Sequence, residues 1–106
     1  MKVLVVICIS EYAGQLYEIF QTENLTPFFE TDVRGFNLPG KIEHRLKNWF
    51  GQGNKPLDGV LNFVLVDAER VDAMFDRLKQ CNKCKGETDA VFGFTLDVDQ
   101  VLNVSG

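Results

Sequence analysis

The sequence predicts an α+β domain in which two helices cover one face of a four-stranded antiparallel sheet. Three observations point there. Residues 3–9 and 60–66 are runs of almost continuous apolar, largely β-branched character, as expected of strands buried on both faces. Each run is followed by a segment whose apolar residues recur at helical spacing. Strand-like stretches at 28–36 and 90–96 complete the order β-α-β-β-α-β, the split βαβ, ferredoxin-like arrangement.

The first strand, 3–9, runs into Ser10, a candidate N-cap for a helix over 11–23. Leu16, Ile19 and Phe20 give that helix its apolar stripe, and Asn24 is a reasonable stop. The second strand spans 28–36. Gly59 opens the third, which is apolar on both faces apart from Asn62. Asp67 is placed to cap a second helix in which Val71, Met74, Phe75 and Leu78 fall at i, i+3, i+4 and i+7. Its charges suit the helix dipole, with Asp67, Glu69 and Asp72 early and Arg77 and Lys79 late. A Lys/Gly/Asp-rich turn leads to the last strand, with an extension expected through Val104.

At 106 residues, the chain is long enough for one domain with a real core and too short for two, so 1–106 reads as a single domain. A content of 45% hydrophobic residues excludes general disorder. The net charge of −4 argues against nucleic-acid coating, which needs excess Lys and Arg. The longest apolar run, 3–9, falls far short of the roughly 20 residues that cross a bilayer. Met1-Lys2 passes straight into that run with no small-residue cleavage site, which does not read as a signal peptide. Three cysteines cannot all pair within one chain, so the expected setting is reducing and cytoplasmic.

Two helices shield only one face of a four-stranded sheet, yet the first and third strands are apolar on both. A second covered face implies a homo-oligomer that packs sheet against sheet.

Residues 37–57 are too many for an ordinary hairpin connection. Lys41, Arg45, Lys47 and Lys55 against Glu43 give the segment a charge of +3, leaving −7 for the rest of the chain. Ile42, Leu46, Trp49 and Phe50 form an apolar stripe if 41–50 turns helical, with Lys41, His44, Arg45 and Lys47 on the other side. Such a segment either folds back on its own assembly or docks on a partner or an anionic membrane surface. The only Trp in a basic loop suits recognition.

Cys81 and Cys84 form a Cys-x-x-Cys motif. Reactive thiolates of that motif sit at helix N-termini, whereas Cys81 falls at a C-terminal end and on the apolar stripe, so a buried structural thiol is expected there. A metal site would need more ligands. Cys8, His44, Cys84, Glu87 and Asp89 would approach one another at one end of the sheet and form the alternative, metal-responsive constellation. No nucleophile–base pair or phosphate-binding motif stands out, and the chain does not read as an enzyme.

Thr31-Asp32-Val33-Arg34-Gly35-Phe36 resembles the strand ending that leads into the T-loop of the PII nitrogen-regulatory proteins and their PII-like relatives. The similarity continues through 60–66 with Asp67 after it, and through Val91-Phe92-Gly93-Phe94. It covers nearly the whole chain, and makes 37–57 a flexible T-loop. The resemblance implies a homotrimeric signal transduction protein that binds a small molecule, typically an adenine nucleotide, in clefts between subunits. The loop then regulates a transporter or an enzyme. Gly35, Phe36 and Asn37 match the loop base, Val64 matches a strand position lining the cleft, and Thr88 and Asp89 stand in the phosphate-loop turn. Ile42, Arg45, Leu46, Lys47, Trp49 and Phe50 would meet the target.

The chain departs from that pattern in three places. Glu87-Thr88-Asp89-Ala90 replaces a Gly-Asp-Gly-Lys phosphate loop, Val101 and Asn103 replace two arginines, and the loop has no tyrosine to uridylylate. Glu87 and Asp89 would repel a triphosphate. A less charged nucleotide, another small anion or a metal are the alternatives.

Overall fold

The computed structural model describes residues 1–36, 57–84 and 91–102. Its elements are β1 (Lys2–Ile9), α1 (Ala13–Thr22), β2 (Phe29–Gly35), β3 (Leu57–Val66), α2 (Val71–Cys84) and β4 (Val91–Asp97). They form one antiparallel sheet in the order β2-β3-β1-β4. The expected α+β class and the four-stranded antiparallel sheet with two helices are therefore present. No helix among the described residues is long and apolar enough to cross a membrane.

Antiparallel partners share a face, so the registers divide the sheet in two. Leu4, Val6 and Cys8 of β1 lie on the helix side with Val60, Asn62, Val64 and Val66 of β3. Leu16, Ile19 and Phe20 of α1 and Met74 and Leu78 of α2 close over them, all at most 5% exposed. Both helical stripes thus face the core as their spacing demands. Arg70, in the short 3-10 turn before α2, donates from Nη2 to the Glu23 carbonyl at 2.6 Å. That bond ties the start of one helix to the end of the other.

Several ends differ from expectation. Ser10 does not cap α1. Ile9 holds the extended N-cap position, Ser10–Tyr12 form a 3-10 turn, and the Ser10 carbonyl accepts from Ala13 N–H. Asp67 precedes a similar turn, Ala68–Arg70, with no hydrogen bond from its side chain; its backbone carbonyl accepts from Arg70 N–H instead. Asn24 is at φ 58°, the left-handed conformation that stops a helix and that Asn tolerates. β3 starts at Leu57, so Gly59 lies inside the strand. β4 ends at Asp97, and residues 98–102 are not strand. The reason is register: Asp97 pairs with Lys2, and only the Val98 N–H reaches back, to the Met1 carbonyl at 3.3 Å.

Candidate ligand pocket and assembly face

The face turned away from the helices consists of four cross-strand rows. Leu65, Val3 and Leu96 form the first; Phe29, Phe63, Val5 and Phe94 the second; Thr31, Leu61, Ile7 and Phe92 the third; Val33, Gly59 and Ile9 the last. Thr31 is the only polar side chain in them, and none is charged. Phe29, Phe63, Leu65 and Leu96 are 53%, 42%, 46% and 54% exposed. Covering each half-exposed side chain of this size contributes ~1 kcal/mol. This four-stranded apolar surface, broken in these rows only by Thr31, is of the kind that interfaces cover.

At one end of the sheet, β2 and β3 make their last pair, Gly35 with Leu57, on either side of residues 37–56. Beside it lies a cavity of about 370 Å³ lined by Ser10, Asp32, Val33, Arg34, Asp58 and Gly59. A Cβ at Gly59 would sit 2.8 Å from the Cys8 carbonyl oxygen, so any side chain there forces the backbone to shift. Gly59 is thus both a lining residue of the cavity and a point of close approach between β1 and β3. Arg34 and Asp58 are paired in register, with Arg34 Nε 3.9 Å from Asp58 Oδ1 and both side chains largely exposed. An exposed pair at that distance is worth well under 1 kcal/mol and leaves the guanidinium able to meet an anionic ligand group. Asp32 and Asp58 offer acceptors for N–H or O–H donors. The pocket can therefore hold a ligand carrying donor groups and limited negative charge.

Under α1 lies a second polar group. The Tyr17 hydroxyl donates to Glu30 Oε2, and that bond, then burial, pushes the phenol up to about 12. Burial first, then the nearby Cys81 and Glu30, pushes the Cys8 thiol up to about 11. Asn62 is fully buried between Val6 and Glu30 in register, and neither its Nδ2 nor its Oδ1 has a partner among the described residues.

The predicted site residues are distributed as follows. Gly35 closes β2, half-buried, and Phe36 follows it, 59% exposed. Val64 is 2% exposed in the core beside Leu4, on the helix side, so its side chain does not line the open face. Asn37, Ile42, His44, Arg45, Leu46, Lys47, Trp49, Phe50, Glu87, Thr88 and Asp89 lie outside the described residues. Cys84 ends α2. Cys8 lies in the core, where burial raises its thiol to about 11. No group of three or more metal-ligating side chains occurs among the described residues. Cys81 is only half-buried, its Sγ 4.0 Å from Gln15 Oε1.

The pocket residues Ser10, Asp32, Arg34, Asp58 and Gly59 were not legible as a site. Their signal was indirect: Asp32 and Arg34 alternate along the strand that carries the Thr31-to-Phe36 resemblance. No family model and no curated protein matches the chain.

Proposed function

We propose that the protein is a non-enzymatic, PII-like regulatory protein. It assembles as a homotrimer through its open sheet face and senses a small molecule between subunits at the base of residues 37–57. The ligand sets the conformation of that T-loop, which binds and regulates a transporter or an enzyme. The observation that carries this reading is the charge-free apolar face, which one chain leaves in water. The ferredoxin-like order of elements and the resemblance at Thr31 to Phe36 support the same reading.

The favoured ligand class is an adenine nucleotide of low charge. An amino-substituted purine supplies the donors that Asp32 and Asp58 can accept, and Arg34 meets a single phosphate. The core position of Cys8 weighs against the metal-responsive alternative. Thermal unfolding with AMP, ADP, ATP, cyclic nucleotides, bicarbonate and divalent metals tests the assignment. Ligand at a hundredfold excess over its Kd contributes about 2.7 kcal/mol, a rise of roughly 10 °C in a domain this size. AMP or a cyclic nucleotide should raise the midpoint, and Arg34→Ala should cancel the rise. A midpoint unmoved by every nucleotide contradicts the sensing role. Trp49→Ala should abolish capture of the target while leaving the assembly intact.

A further inference from the structure

We infer that Asp58 sets the phosphate charge that the pocket at the end of β2 and β3 accepts: it partly neutralises Arg34, so that a single phosphate is held and a polyphosphate chain is repelled. The inference rests on the nucleotide-sensing role proposed above and adds a specificity-determining residue to it. The arrangement of charges carries it. Among the described residues, the lining holds one guanidinium, Arg34, and two carboxylates, Asp32 and Asp58. Arg34 and Asp58 are partners across the ladder, and Asp32 stands opposite Val60. Residues two apart along a strand share a face. Arg34 is therefore flanked by a carboxylate on two sides, Asp58 across from it and Asp32 along β2.

The contact between Arg34 and Asp58 runs through Nε, 3.9 Å from Oδ1. The edge formed by the two Nη atoms points elsewhere on the same planar group, and such an edge grips one phosphate with two parallel hydrogen bonds. A second or third phosphate meets no further cation among the described lining residues. It meets the carboxylates instead. A cavity of about 370 Å³ is comparable in width with the Debye length of about 8 Å at physiological salt, so the repulsion is only partly screened. Each added phosphate charge is thus more costly beside Asp58 than beside a neutral side chain.

Titration calorimetry of the full chain with AMP and with ATP tests this, on the unmodified chain and on Asp58→Asn and Asp76→Asn. Asn at position 58 keeps an acceptor oxygen and removes only the charge. Asp76, exposed on α2 and outside the lining, controls for net charge. Charges elsewhere in the pocket act on the unmodified chain and the variants alike, so the ratio of the ATP and AMP Kd values isolates position 58. The expected result is a shift of that ratio toward ATP by about fivefold in Asp58→Asn, shrinking as salt is added, with no shift in Asp76→Asn. An equal shift in both variants overturns the inference and leaves the sensing role standing. So does an unmoved ratio in Asp58→Asn, or a loss of AMP binding there. An unmodified chain that binds neither nucleotide overturns both.

Discussion

The rings of Phe29 and Phe63 stack with centroids 5.2 Å apart and planes at 26°, on the side of the sheet that no helix covers. Each ring is about half exposed. Their row continues through Val5 to Phe94 and crosses all four strands without a polar atom in a side chain. Within the row Val5 is sheltered, at 7% exposure, whereas the three rings Phe29, Phe63 and Phe94 remain 53%, 42% and 38% exposed. The open face is therefore the feature from which the proposed assembly follows.

Charge placed on this face should separate the copies and leave each one folded. Phe63→Glu and Leu96→Glu alter side chains that are already exposed in the single chain, so their cost to the fold itself is small. Light scattering should report the monomer mass for both, with far-ultraviolet circular dichroism unchanged. A variant that keeps its assembly would move the interface elsewhere.

Asn62 should be a stability cost within the core. Both polar atoms of its amide are buried without partners, and such groups cost about 1–3 kcal/mol. Asn62→Leu, close in volume, should raise the unfolding free energy by ~1–2 kcal/mol in a denaturant titration. A loss of stability would instead show that the amide is satisfied in solution.

Gly59→Ala should destabilise by about 1–3 kcal/mol, as overpacking does. The added methyl meets the Cys8 carbonyl at 2.8 Å, and backbone has to shift to admit it. Gly59 also lines the pocket, so nucleotide binding should weaken more than stability alone explains. Calorimetry on the variant at a temperature where it is fully folded separates the two.

Stability should fall on the alkaline side, beginning near pH 9. Cys8 ionises at 9.0 when unfolded and at about 11 when folded. Between these values the unfolded chain has lost the proton and the folded chain retains it. Stability is therefore complete below pH 9 and declines toward pH 11, with a slope of at most ~1.4 kcal/mol per unit from this group. Tyr17, moved from 10.0 to about 12 chiefly by its bond to Glu30, adds a second decline above pH 10. Cys8→Ala should remove the first decline and Tyr17→Phe the second.

Much of the fold was legible because burial writes periodicity into sequence. The two-sided apolar runs of β1 and β3, and the stripes Leu16, Ile19, Phe20 and Met74, Leu78, are direct consequences of which surfaces lose water. Asn24 was legible because few residues accept its backbone angle. Ser10 was misread because a side-chain cap and a 3-10 turn begin with the same residue type, and the choice between them is made by the backbone of Ile9 and Ala13. Strand alternation, legible in the run 60–66, turns Val64 to the core while Phe63 and Leu65 face out. Asp32, Arg34 and Asp58 are brought together only by the register of β2 against β3, which local sequence does not specify.

Sedimentation equilibrium of the full chain at micromolar concentration puts the proposed assembly to its most direct trial. The account predicts a particle of three chains, three times 12.0 kDa. A stable species of 12.0 kDa would contradict it, because the four apolar rows would then face water and the clefts between subunits would not exist.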